Sequence, residues 1–196
     1  MTEAYEWNPM PHCLAVVCPD CGSEARFEFA EVVRIKLRKD VGYFEQSKDF
    51  EVARTTDYGG GYCNVAIYFH GLKQSGLSAL QDLPEGYEPK DWEHSQYLLR
   101  STAQDLGAIV CTSCGMRRKH VLNWPGDAYF KIDHKQGVLW AFDREHASEL
   151  LRYVRSADRD RGNFRYRASL MKVPTRFLTA KARDSVAKAL DRILSA

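Results

Sequence analysis

AVVCPDCG at residues 15–22 and AIVCTSCG at residues 108–115 repeat one pattern: a small apolar run, a Cys-x-x-Cys turn and a glycine directly after the second cysteine. Such a turn lets both sulfur atoms point at one ion, and the glycine relieves backbone crowding where the amide groups face the thiolates. Two turns supply four thiolates, which is the tetrahedral ligand set of structural zinc sites. The sequence therefore predicts one structural zinc ion held by Cys18, Cys21, Cys111 and Cys114.

The paired Cys-x-x-Cys-Gly turns resemble the knuckles of zinc-ribbon and rubredoxin-like folds, a likeness that covers about sixteen residues. A second stretch, NWPGDAYF at residues 123–130 followed by VLWAF at 138–142, resembles a type of uncharacterised bacterial zinc-ribbon protein. The first resemblance implies a metal site and the second implies no activity. The chain departs from compact zinc sites in one respect, because residues 22–110 separate its two cysteine pairs.

The long separation is compatible with one shared metal. Compact sites space their cysteine pairs by roughly 12–20 residues, and lengthening the loop to about 89 residues adds roughly 1.4 kcal/mol of closure free energy. Structural zinc binding contributes on the order of 10 kcal/mol. The metal therefore outweighs the closure cost, provided that the insert folds by itself.

Other uses of the four cysteines explain the pattern less well. A thioredoxin-type redox motif needs one Cys-x-x-Cys at a helix start and leaves the second copy unexplained. Two disulfides require an oxidising compartment, which no sequence feature suggests. Iron in a rubredoxin-like site uses the same ligands and stays an alternative to zinc.

Composition is typical of a soluble globular protein, since 44% of the 196 residues are hydrophobic and 28% are charged. The first fourteen residues lack the basic-then-apolar pattern of a signal peptide, and no apolar run approaches the roughly 20 residues that span a bilayer. We therefore expect a cytoplasmic protein with no membrane partner. The sequence leaves the oligomeric state open.

Charge is distributed unevenly around the net value of +2. Residues 1–114 carry 10 Lys/Arg against 17 Asp/Glu, whereas residues 115–196 carry 18 against 9. A basic C-terminal half favours nucleic acid or an acidic protein as a partner, although solvated faces or attraction between the halves explain the same asymmetry. The candidate nucleic-acid-binding residues are Arg117, Arg118, Lys119, Arg152, Arg155, Arg159, Arg161, Arg165 and Arg167.

Hydrophobic periodicity predicts an α+β fold, and the resemblance of the knuckles implies a zinc-ribbon-like antiparallel core with a β-rich insert. Alternation in residues 26–38 and 62–70 predicts strands, 43–54 is a weaker strand candidate, and the glycines at 59–61 predict a turn. Glu31 breaks the first alternation, which indicates either a bulge in one long strand or a turn between two strands. A hairpin is predicted over 129–142, and helices over 144–157 and 180–195 follow Asp143 and Thr179 as N-caps. The predicted organisation is a lead-in over 1–14, a zinc-stapled β domain over 15–143 with its insert at 23–107, and a helical part over 144–196.

Catalytic motifs are weak in this sequence. Asp127 and Asp133 followed by Lys135 faintly resemble the acidic pair and lysine of metal-dependent nucleases, but no further acidic ligand follows. A four-cysteine zinc has no open coordination position. The favoured interpretation is therefore a non-catalytic protein that binds zinc and nucleic acid, with a protein-interaction adaptor that uses the β insert as the alternative and a nuclease-like enzyme as an unlikely third.

Overall fold

The computed structural model describes residues 10–56, 59–73, 80, 82–94, 105–135, 137–156 and 165–195. The chain divides into two compact units, each described here by itself. The knuckle unit is Cys18–Asn123, and the terminal unit combines Met1–Val17 with Trp124–Ala196.

The described residues form an α+β fold with ten strands and four α-helices. The strands are β1 (Cys13–Val17), β2 (Glu24–Phe29), β3 (Glu31–Arg34), β4 (Phe50–Thr56), β5 (Tyr62–Tyr68), β6 (Glu93–His94), β7 (Leu106–Val110), β8 (Arg117–Val121), β9 (Phe130–His134) and β10 (Gly137–Ala141). The helices are α1 (Val41–Gln46), α2 (Arg144–Arg155), α3 (Arg167–Leu170) and α4 (Ala180–Ser195). The predicted fold class is confirmed.

The first sheet of the knuckle unit sets β2, β7 and β8 side by side and antiparallel. Its registers pair Arg26 with Val110 and Val110 with Arg117, so β2 begins, β7 ends and β8 begins at one end of the sheet. Both Cys-x-x-Cys turns adjoin that end. Phe29 pairs with Gly107 at the opposite end, where the insert leaves β2 and returns to β7.

The second sheet of the knuckle unit has the order β4-β5-β3-β6, and its neighbouring strands are antiparallel. Alternating side chains supply two hydrophobic clusters, because successive residues of a strand point to opposite faces. One cluster is rich in aromatic residues and includes Phe44, Phe50, Tyr68, Tyr87 and Trp92. The other joins Val32, Val65 and Ile67 to Ala108 of β7, so it connects the two sheets of the unit.

Alternation correctly predicted strands here but not their division between sheets. Residues 26–38 do not form one long strand, because Ala30 separates β2 from β3 and the two belong to different sheets. The predicted strand over 43–54 is partly wrong: Tyr43 and Phe44 lie in α1, and only Phe50 onward is extended. Phe44 is fully buried and its ring contacts that of Phe50. A buried aromatic residue at this position is therefore compatible with a helix as well as with a strand.

The terminal unit packs a β-hairpin against two helices. Strands β9 and β10 are paired, with Phe130 opposite Ala141 at one end and His134 opposite Gly137 at the other, which confirms the predicted hairpin. Helices α2 and α4 pack on each other and on the hairpin strands, and β1 contributes the bridge between Val16 and Ala128. The predicted caps are also present, because Asp143 accepts the amide of His146 at 2.7 Å and Thr179 accepts that of Ala182 at 3.3 Å.

His146 is the most deeply buried ionisable side chain of the terminal unit, with no exposed surface. Its Nδ1 accepts the Phe142 amide at 3.1 Å, and its ring stacks on Tyr166 with centroids 4.6 Å apart. Burial therefore lowers the pKa of His146 to about 4, although the nearby carboxylate of Asp143 raises it in part. The imidazole is neutral in the folded protein at pH 7.

We expect His146 to make the terminal unit sensitive to acid. Its pKa is lower in the folded state than in the unfolded chain, so the unfolded state binds more protons as pH falls from about 6.5 to about 4, and about 3 kcal/mol of stability is lost over that window. Denaturant unfolding of the protein and of His146→Asn at pH 7 and pH 5 measures this. Asparagine keeps an acceptor for the Phe142 amide but loses the ring that stacks on Tyr166, so the variant is less stable at pH 7. The difference in unfolding free energy between the two proteins narrows at pH 5, because asparagine does not bind a proton. An unchanged difference contradicts the assignment.

Candidate metal centre

Four sulfur atoms from the two knuckles meet in one cluster. The Sγ atoms of Cys18 and Cys114 lie 3.7 Å apart, and so do those of Cys21 and Cys111. All four lie within 4.8 Å of one another. Tetrahedral zinc with Zn–S bonds of about 2.3 Å places its sulfur ligands about 3.8 Å apart. The cluster is therefore of the right size to hold a metal ion such as zinc.

The two knuckles have the same backbone structure. The amide of Gly22 donates to the Cys18 carbonyl at 2.9 Å, and that of Gly115 donates to the Cys111 carbonyl at 3.0 Å. Both glycines have φ near +76°, a conformation that side-chain-bearing residues rarely adopt. A second amide–carbonyl bond closes each turn, from Cys18 to Ser23 and from Cys111 to Met116. The repeated sequence thus folds into a repeated local structure.

The cysteines differ in exposure in the same way in both knuckles. Cys18 and Cys111 are buried, whereas Cys21 and Cys114 are exposed. A metal ion held here would therefore have two ligands in the protein interior and two on the solvent side. Four protein ligands complete a tetrahedron, which is the pattern of a structural site.

The pKa values of the Cys21, Cys111 and Cys114 thiols are shifted in different directions by their surroundings. The hydroxyl and amide of Ser23 lower the pKa of Cys21 to about 6, and the amide of Cys114 lowers the pKa of Cys111. The Met116 amide acts to lower the pKa of Cys114, but desolvation and hydrogen bonds with the neighbouring thiols raise it to about 12. Four adjacent thiolates repel one another, so a dication that neutralises them displaces the remaining protons.

The first sheet explains how cysteines distant in sequence become neighbours. The first knuckle precedes β2 and the second joins β7 to β8, so pairing of β2 with β7 brings both turns to the same end of the sheet. The insert leaves and returns at the other end. Hydrogen bonds of the sheet therefore offset part of the entropy cost of closing this loop.

The predicted basic residues of the knuckle unit are consecutive on β8, so Arg118 points to the face opposite to that of Arg117 and Lys119. Arg117, Arg118 and Lys119 are all exposed, and β8 is an edge strand of its sheet. Arg118 pairs with Asp20 of the first knuckle at 3.3 Å. Lys119 pairs with Glu51 and lies 4.9 Å from the ring centroid of Phe69. Both ion pairs are about half exposed, so they contribute little to stability.

The remaining predicted basic residues belong to the terminal unit. Arg155 of α2 pairs with Asp191 of α4, and Arg165 pairs with Glu145. The other two described members, Arg152 and Arg167, are exposed. Arg159 and Arg161 lie outside the described residues.

Sequence reasoning missed the buried carboxylates, among them those of Glu28 and Glu149. Glu28 lies on the polar side of β2, yet it is buried and accepts a hydrogen bond from His70 at 2.7 Å, because the turn at His70–Leu72 covers that face. Glu149 of α2 accepts the amides of Arg165 and Tyr166, at 2.9 and 2.8 Å, and so anchors the segment before α3. Both partners are distant in sequence, and local periodicity carries no signal for them.

The two knuckles bring four cysteines together at metal-binding distance, an arrangement consistent with a zinc-ribbon knuckle. Comparison with known protein families, curated proteins and solved structures finds no match to this chain. None of the helices in the described residues is long and apolar enough to cross a membrane.

Proposed function

We propose that this chain is a cytoplasmic, zinc-stabilised binding protein that contacts nucleic acid through β8. The observation that most directly supports this proposal is that Arg117, Arg118 and Lys119 are exposed on an edge strand that starts directly after the second knuckle. Zinc suits the four thiolates and has no open position, so its role is structural.

The metal site supports this proposal because it fixes the start of β8. Met116 is held by the amide of Cys111, and the next residue begins the strand. Basic side chains on a rigid strand lose less conformational freedom on binding than the same side chains on a loose segment. Phosphates then replace the exposed carboxylates of Asp20 and Glu51, whose ion pairs are weak.

Salt dependence tests the proposal. The zinc-loaded protein is titrated into a fluorescently labelled oligonucleotide at about 50 and 200 mM salt, and anisotropy gives the affinity. Three phosphate contacts predict a loss of about 20- to 40-fold across this range. The double variant Arg117→Glu, Arg118→Glu is expected to bind weakly and with a shallower salt slope.

A matched control is the double variant Lys48→Glu, Lys181→Glu, which changes net charge equally at two exposed lysines that are not part of β8. It is expected to keep most of the affinity. Equal losses in the two double variants contradict a specific role for β8. Absence of binding at low salt contradicts the proposal and favours the adaptor interpretation.

A further inference from the structure

A cavity of about 200 Å³ opens in the knuckle unit where the chain leaves β3 and passes β5. Three basic residues line it: Arg34, Lys36 and Arg38. Tyr62 and Asn64 of β5 lie on its other side, and no acidic residue of the described chain is among its lining residues. The cavity therefore suits a ligand that combines negative charge with a surface for aromatic contact.

Tyr62 supplies that aromatic surface. It is 72% exposed, which is unusual for a large side chain, and it is the most exposed of the large hydrophobic residues that the structure describes. The Arg54 guanidinium lies 4.3 Å from its ring centroid. The register pairs Arg54 with Asn64 and Thr56 with Tyr62, so this contact is diagonal across two paired strands. A cation on one face holds the ring in place and leaves the other face to a planar ligand.

One of the basic residues around the cavity is held by hydrogen bonds. Lys36 donates to the carboxylate of Asp91 at 3.1 Å and to the Gly86 carbonyl, so its ammonium group is held in position. Arg34 and Arg38 are exposed at the cavity margin. The guanidinium group of Arg38 matches phosphate oxygens in charge and geometry.

We propose that this cavity binds an unpaired nucleotide of single-stranded nucleic acid, with its base stacked on Tyr62 and its phosphate facing Arg38. The proposal rests on the proposed function and adds a second contact site that selects strands with accessible bases. Bases inside a duplex stack on each other and do not offer their faces to a side chain, whereas unpaired bases do.

The experiment compares three labelled probes of one sequence: a single-stranded RNA of about 12 nucleotides, its DNA counterpart and the DNA duplex. With the full-length, zinc-loaded protein, both single strands are expected to bind more tightly than the duplex. The relative affinity for RNA and DNA identifies which strand the protein prefers. Equal or tighter binding of the duplex overturns the proposal.

Variants locate the base. Tyr62→Ala is expected to weaken binding of the single strand by about tenfold, since base–aromatic stacking is lost, while Tyr62→Phe keeps its affinity. Tyr43→Ala is the matched control, because Tyr43 is another exposed tyrosine and is not among the residues that line the cavity. Melting temperatures of all variants show whether the fold is retained, which we expect for exposed positions.

The outcomes separate this proposal from the one before. If charge reversal on β8 weakens binding and Tyr62→Ala does not, the proposed function stands and the nucleotide site is overturned. If Tyr62→Phe weakens binding as much as Tyr62→Ala, stacking is not the interaction and the proposal is overturned. If no probe binds at low salt, both proposals fall.

Discussion

Cys111→Ser is expected to abolish stoichiometric metal binding and to unfold the knuckle unit. Cys111 is buried and its Sγ lies 3.7 Å from that of Cys21. Its loss leaves only three of the four thiolates that a tetrahedral site needs. Structural zinc contributes on the order of 10 kcal/mol, which is comparable to the whole stability of a typical domain, about 5–15 kcal/mol. Metal analysis and hydrogen exchange across Cys18–Asn123 measure both effects.

Cys63→Ala provides the control. Cys63 is a partly buried cysteine that packs beside the second hydrophobic cluster and lies outside the four-sulfur group. Its substitution is expected to keep one zinc per chain and to cost about 1 kcal/mol. A Cys111→Ser protein, or a chelated one, that keeps its melting temperature contradicts the structural role of the metal.

Gly107→Ala is expected to destabilise the knuckle unit by about 3 kcal/mol. A Cβ atom at this position meets the Glu28 carbonyl oxygen at 2.2 Å and the Phe27 ring at 2.5 Å. Phe27 is fully buried, so its ring has little room to move. The β2–β7 pairing must therefore open at the end where the insert begins. Urea denaturation gives the free energy of unfolding.

Gly42→Ala is the control for that measurement. Gly42 lies in α1 and has open space around it, so alanine is expected to be neutral or to stabilise the protein by up to about 1 kcal/mol. If Gly107→Ala behaves like Gly42→Ala, the close approach of β7 to β2 is not a constraint on the fold.

Features coded by local sequence were predicted well. The knuckles were predictable because their turns are closed by hydrogen bonds within six residues, and the Cys-x-x-Cys-Gly pattern places thiols and a positive-φ glycine where these turns need them. Helices α2 and α4 were predictable for the same reason, since Asp143 and Thr179 cap them and apolar residues repeat along one face.

Features that depend on distant partners were not predicted. The break in alternation at Glu31 is compatible with a bulge in one strand or a turn between two, so only tertiary pairing shows that β2 and β3 belong to different sheets. Glu28 has the sequence position of a solvent-facing residue and is buried because His70 covers it. The stacked pair of Arg54 and Tyr62 is likewise set by strand register, which the sequence does not specify.

The order in which the two knuckles are synthesised has a consequence for the growing chain. Cys21 and Cys111 are 90 positions apart, and ribosomes add about 5–20 residues per second. The first pair of cysteines therefore waits on the order of 5–20 seconds for the second. Throughout that interval each nascent chain carries half of a metal site, which must remain reduced until its other half emerges.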